Sequence, residues 1–162
     1  MADCKRAMAE RASARRGNGE TELELERFLP YRLSVLANLV SRALARVYQE
    51  RFALSVPQWR VIAVLARFPD LSASGVAEKT AMDKVMVSRA VAGLARQGRL
   101  VRRLDGADRR RSALRLSARG MAVYRAIAPV ALAYERQLLA ALPREDRAAL
   151  DRLIDELSRR AR

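Results

Sequence analysis

Near residue 99 the spacing of apolar residues changes from helical steps to simple alternation. Before that point Trp59, Ile62, Ala63, Leu65 and Ala66 form one amphipathic set, Val76 and Ala77 a short second, and Val87, Ala90, Val91 and Leu94 a third. Such three- and four-residue steps place side chains on one face of a helix. After it, Leu100-Val-Arg-Arg-Leu104 and Ser112-Ala-Leu-Arg-Leu116 alternate as short strands do. Between the strands lie the turn-formers Asp105, Gly106 and Asp108, then Arg109, Arg110 and Arg111. Short helices followed at once by one basic hairpin admit few folds. The pattern predicts a mainly α protein with a small β-hairpin wing, a winged helix-turn-helix.

Local signals divide the helices. Ser55-x-x-Gln58 is a capping box, with Pro57 tolerated in the first turn, and Phe68-Pro69-Asp70 ends that helix. Ser72 caps a short helix through Lys79, Asp83 caps the next, and Gly98 stands where a left-handed cap belongs. Ser117 starts a long helix interrupted at Pro129, where a kink is expected, and Pro143 opens a last helix with Leu150, Leu153, Ile154 and Leu157 on one face. Upstream, Thr21-x-x-Glu24 or Pro30 begins a long helix that ends near Phe52. Its stripe is Leu29, Leu33, Leu36, Val40, Ala43 or Leu44, and Val47, widened by Leu25, Phe28, Leu39 and Tyr48. So broad an apolar surface needs two partners and points to an oligomer. Residues 1–20 lack periodicity and read as a mobile arm.

Composition removes several functions. The 162 residues suit one domain and include no histidine and one cysteine, Cys4. That excludes an imidazole base and any zinc site needing His, and leaves no pair for a disulfide. No catalytic set, metal site or cofactor is expected. No apolar run approaches a membrane span and the first residues carry no signal core, so the expectation is a cytoplasmic protein without a membrane partner. The net charge is +14, from 32 basic and 18 acidic groups. Since 29 of the basic groups are Arg, a GC-rich genome accounts for part of this. Location says more than total. Residues 83–116 hold ten basic and three acidic groups, half the net charge in about a fifth of the chain.

On the helix after Asp83, the inward set leaves Lys84, Val85, Ser88 and Arg89 pointing outward near the N-terminus. Such groups can read base edges in a major groove, where Arg to guanine is the commonest specific pairing. The plainer alternative is an ordinary solvated helix face. In the hairpin, Asp108 can hold Arg110 and aim it into a narrow, electronegative minor groove, with Arg109 and Arg111 beside it. The alternative there is a basic edge that discourages strand pairing.

Taken in order, Ser55-Val-Pro-Gln-Trp-Arg-Val-Ile, Leu71-Ser-Ala-Ser, Asp83-Lys-Val-Met-Val-Ser-Arg, Gly98-Arg-Leu-Val-Arg-Arg and Asp108-Arg-Arg-Arg-Ser-Ala-Leu-Arg-Leu-Ser-Ala-Arg-Gly resemble the MarR transcriptional regulators from about Phe28 to Leu157. The resemblance implies a homodimer joined by long N- and C-terminal helices, residues 21–54 and 117–162, with residues 55–116 as the DNA-binding region. It implies that Ser88 and Arg89 read bases and that Arg110, steadied by Asp108, enters the minor groove. Gly106 stands where many relatives have proline. Family members commonly release DNA on binding a small aromatic or phenolic anion. Here Tyr31, Arg32, Asn38 and Trp59 could line its site, against the alternative that Trp59 is core and Arg32 makes a surface or dimer salt bridge. The expected function is a ligand-responsive repressor of a pseudo-palindromic double-stranded DNA operator. The alternatives are a sequence-nonspecific architectural DNA binder and a winged-helix protein-interaction module.

Overall fold

A computed structural model of the chain describes residues 23–104 and 112–161. Within them six helices and one hairpin follow in order: α1 Leu29–Phe52, α2 Val56–Arg67, α3 Ala73–Thr80, α4 Lys84–Arg96, β1 Leu100–Leu104, β2 Ser112–Leu116, α5 Ala118–Ala140 and α6 Arg144–Arg160. The arm at 1–20, with Cys4 and the Thr21 box, lies outside the described residues, as do Asp108, Arg109, Arg110 and Arg111.

The helix starts lie where local chemistry puts them. Ser55, Ser72, Asp83 and Ser117 all hold extended backbone, and each side chain accepts the N–H three residues on. At Ser55 the box is reciprocal, because its own N–H donates to Gln58 Oε1 at 2.9 Å. Each such cap stabilises by about 1 kcal/mol. The turn between α3 and α4 is made by Ala81 in the left-handed region (φ 53°), while the Thr80 hydroxyl donates back to the Val76 carbonyl at 2.7 Å. Gly98 (φ 66°) closes α4 and lets the Arg99 N–H reach the Leu94 carbonyl at 2.9 Å. A side chain at that φ would be strained, so glycine is required there.

The hairpin is antiparallel, with Leu100 opposite Leu116 and Arg102 opposite Leu114. It is not free-standing. Leu71, just before α3, pairs with Leu114, whose N–H donates to the Leu71 carbonyl at 2.8 Å. An isolated two-stranded ribbon is marginal in water, and this added rung ties it to the helices.

Two compact units divide the chain within α1, after Asn38. In the second, one core cluster joins Tyr48 of α1, Leu54, Val61, Ile62 and Leu65 of α2, Val76 of α3, Val87, Val91 and Leu94 of α4, Leu100, Leu114, and Ile127 of α5. Each large apolar side chain buried there contributes roughly 1.5–3 kcal/mol. In the first unit Leu29, Tyr31, Leu33, Val35 and Leu36 are all exposed. No residue of the stripe expected along α1 is buried: Val40, Leu44 and Val47 are half-buried, and the buried residues of the helix are Ala45 and Tyr48 near its C-terminal end. The period finds the apolar face, but what covers that face is a tertiary matter. Likewise α6 has no buried residue, although Leu153, Ile154 and Leu157 share one of its faces. Pro129 lies inside α5 without ending it, since one lost backbone bond does not unfold a helix of 23 residues. No described helix is long and apolar enough to cross a membrane.

Candidate nucleic-acid interface

The fold presents α4 with its back buried and its front bare. Val87, Ala90, Val91, Gly93 and Leu94 are buried, while Lys84, Val85, Ser88 and Arg89 are all exposed. These four are the residues that the helical period turned outward. Met86 is exposed beside them and was not singled out in the sequence. Asp83 fixes where the helix begins, its carboxylate accepting the Met86 N–H at 2.7 Å. Lys84 and Arg89 therefore project from the first two turns of a rigid, capped helix rather than from a loop. The cations suit phosphate or guanine, Ser88 can donate or accept, and the apolar Val85 matches a thymine methyl. A cleft of about 340 Å³ opens between this face and the start of α2, lined by Ser55, Pro57, Gln58, Asp83, Val85, Met86, Arg89 and Ala90.

The base of the wing is held by a contact that the sequence did not disclose. Arg115 on β2 grips Asp70 with two donors, Nε to Oδ1 at 2.9 Å and Nη2 to Oδ2. This fork holds the Asp70 carboxyl below its ordinary value and raises the Arg115 guanidinium, with Arg103 adding to the effect on Asp70. Asp70 has a positive φ of 64°, and its N–H donates to the Leu114 carbonyl at 3.0 Å. The turn after α2 and the second wing strand are thus joined by backbone and side chain together.

The four residues expected to meet a small anion fall in both units. Tyr31 and Arg32 are exposed on α1, and Asn38 lies on the same helix. Trp59 is half-buried against the core, its indole stacked with two phenol rings: Tyr48 at 5.8 Å and Tyr124 at 6.2 Å between centroids, both near parallel. This packing fits the core alternative. Burial pushes the Tyr48 hydroxyl above its usual range, against the opposing pull of Arg60. Among the described residues no group of three His, Cys, Asp or Glu could hold a metal ion.

Two further features were missed from sequence. One is the Tyr48–Trp59–Tyr124 stack, which joins residues from α1, α2 and α5. The other is Arg99, expected as part of the basic stretch after Gly98 but buried in the structure, with 8% of its surface exposed. Burial holds its guanidinium below the ordinary arginine value, and Arg119 adds to the effect. Nothing in the local pattern marks either, because their partners are remote in the chain.

Comparisons with known proteins agree with this geometry. The model of the MarR family matches residues 54–111. No curated protein sequence matches the chain. Among solved structures, the PcaV transcriptional regulator from Streptomyces coelicolor in complex with its natural ligand is 25% identical, with a TM-score of 0.70 over 88% of this chain and 100% of that one. A MarR/EmrR family regulator from Acinetobacter sp. ADP1 is 24% identical, with a TM-score of 0.79 over 86% and 98%. BpsR of Bordetella bronchiseptica, studied for regulation of its DNA binding by 6-hydroxynicotinic acid, is 20% identical, with a TM-score of 0.74 over 85% and 97%. Residues 54–111 thus match the MarR family of transcriptional regulators, and the chain shares the winged helix-turn-helix fold of solved regulators of that family.

Proposed function

We propose that the protein is a homodimeric, sequence-specific DNA-binding repressor released by a small aromatic acid. The observation that carries the reading is the outer face of α4, where Lys84, Val85, Ser88 and Arg89 are exposed around a fully packed back. In this reading the N-terminal turns of α4 enter the major groove, with Arg89 and Ser88 at base edges and Lys84 at a phosphate. Arg110, held by Asp108 and flanked by Arg109 and Arg111, reaches into the adjacent minor groove. The exposed apolar stripes of α1 and α6 supply the dimer contact, since a second copy would remove both from water. Two α4 helices about 34–36 Å apart would then address successive turns of a pseudo-palindromic site.

The effector reading draws support from the neighbours' ligands. PcaV is described with a natural ligand and BpsR with 6-hydroxynicotinic acid, an aromatic carboxylate. In this chain Arg32 would take the carboxylate and Trp59 or Tyr31 the ring, with Asn38 the fourth candidate. A ligand shifts DNA affinity only by its preference for one dimer geometry over the other.

The test is to select genomic fragments with the pure protein and measure affinity for the recovered site by anisotropy. Arg110→Ala should weaken binding generally, while Arg89→Ala should also relax preference at one position in each half-site. If both variants bind the site as tightly and as selectively as the parent, the interface assigned to α4 and the wing is wrong. An architectural binder would show steep salt dependence with no preference over random DNA.

A further inference from the structure

Arg99 is a buried cation with no carboxylate partner among the described residues. Its Nη2 donates to the carbonyl of Phe52, the last residue of α1, at 2.6 Å, and its Nη1 donates to Gln97 Oε1 at 2.9 Å. Its Nε is buried without a hydrogen-bond partner. The charge that acts on it is another cation, Arg119. An isolated buried ion is costly, by several kcal/mol even after relaxation. What faces this one is the C-terminal end of α1, where unpaired carbonyls carry roughly half a negative charge. The guanidinium is thus held by a helix end in place of a carboxylate.

The backbone of Arg99 is clamped as firmly as its side chain. Its N–H donates to Leu94 in the last turns of α4, and its carbonyl accepts the Ser117 N–H at the start of α5 at 3.1 Å. Gly120 lies so close that a Cβ there would run into the Arg99 carbonyl oxygen. The next residue, Leu100, begins the wing. One residue therefore touches the end of α4, the first strand of the wing, the start of α5 and the end of α1. The direct chain link between α1 and α2 is short and has Ala53 at φ 49°. The bond from Arg99 to Phe52 adds a tie between segments 47 residues apart.

We propose that Arg99 is a positioning residue for DNA binding, a buried strut that sets the angle at which α4 and the wing are carried on α1. This rests on the reading of α4 and the wing as the DNA-binding elements. Movement of α1 is transmitted to those elements through the Phe52 carbonyl, so the strut also couples the effector region of α1 to DNA affinity. Arg99 touches no phosphate. Its removal changes affinity through geometry alone.

The test uses the full chain with Arg99→Met, which keeps length and apolar bulk, and Arg99→Lys, which keeps one donor and the charge. Amide exchange is read first, without DNA. The Met variant should lose protection at both the α1 end (Gln49–Leu54) and β1, while the Lys variant should lose less. Unchanged exchange at either segment overturns the strut. With the selected DNA site, the Met variant should bind roughly tenfold more weakly, within the usual range of coupling effects. Its salt dependence should match the parent's, whereas loss of one phosphate contact would flatten the slope by about 0.9. A flattened slope, or unchanged affinity, overturns the proposal. If the Met variant does not fold, the Lys variant decides by the same two readouts. Should the parent protein retain no specific DNA, the reading of the interface fails, and the exchange experiment still decides whether Arg99 ties α1 to the wing.

Discussion

Residues 54–127 and the two terminal stripes use the same apolar residue types to opposite effect. In the former, Leu54, Val61, Ile62, Leu65, Val87, Val91, Leu94 and Leu114 keep almost no contact with solvent. On α1 and α6, Leu33, Leu36, Leu39, Leu153, Ile154 and Leu157 each keep between 42% and 56% of their surface. The first set satisfies itself within one chain. The second has helical spacing and is left exposed among the described residues; in the proposed dimer a second copy would cover it. Self-contained packing suits a domain that must present α4 rigidly. Packing completed by a second copy, as proposed, would suit helices whose arrangement an effector changes.

That contrast can be broken in several ways, beginning with the largest effect. Ile62→Ala removes a fully buried side chain from the core and should lower stability by about 2–5 kcal/mol in denaturant unfolding. The same truncation at Ile154 should leave the melting of a dilute sample much less affected and act through dimer dissociation, which concentration-dependent unfolding would reveal. Replacing Leu36 and Leu157 together with Glu should yield a monomer by light scattering while the far-ultraviolet signal of the helices persists. A dimer that survives this pair of charges would show that the stripes are not the interface. Gly120→Ala should destabilise the junction of α5 with Arg99, because backbone and not a flexible side-chain end meets the new Cβ. Its unfolding midpoint should fall while the oligomeric state is unchanged.

The smallest expected effect sharpens the comparison within the winged region. Asp70 has a lower pKa folded than unfolded, owing first to its bond with Arg115. Its contribution is therefore present above the ordinary carboxylate pKa of about 3.9 and is lost as pH falls through the lower folded value. Both groups are exposed, so the global effect is slight and the local one is the signal. As pH falls below the ordinary carboxylate value of about 3.9, the amide resonance of Leu114 should shift in the parent and not in Asp70→Asn. Equal shifts in both would show that the fork does not anchor the wing.

Much of this was legible along the chain. Ser55, Ser72, Asp83, Ser117 and Gly98 mark their turns correctly because each acts on a backbone group three to five residues away. The strands at 100–104 and 112–116 follow from alternation, and the outward set on α4 follows from the inward one. The rung from Leu71 to Leu114, the fork from Asp70 to Arg115 and the stack around Trp59 were not legible. Each joins segments tens of residues apart, and none has a local pattern that demands its partner. Trp59 shows the difficulty well: an aromatic at helical spacing is a core residue or a ligand contact until its packing against Tyr48 and Tyr124 is seen.

Local chemistry alone thus determined the order of helices, the hairpin, the concentration of charge at residues 83–116 and which side of α4 is bare. These depend on caps, periods and dihedral preferences that act within a turn or two. Only the tertiary structure decided that Arg99, one cation in a basic stretch, is withdrawn from solvent and set against the end of α1. The physical reason is that burial depends on the whole packed arrangement. A guanidinium stays buried there because a helix end 47 residues away meets it with a carbonyl.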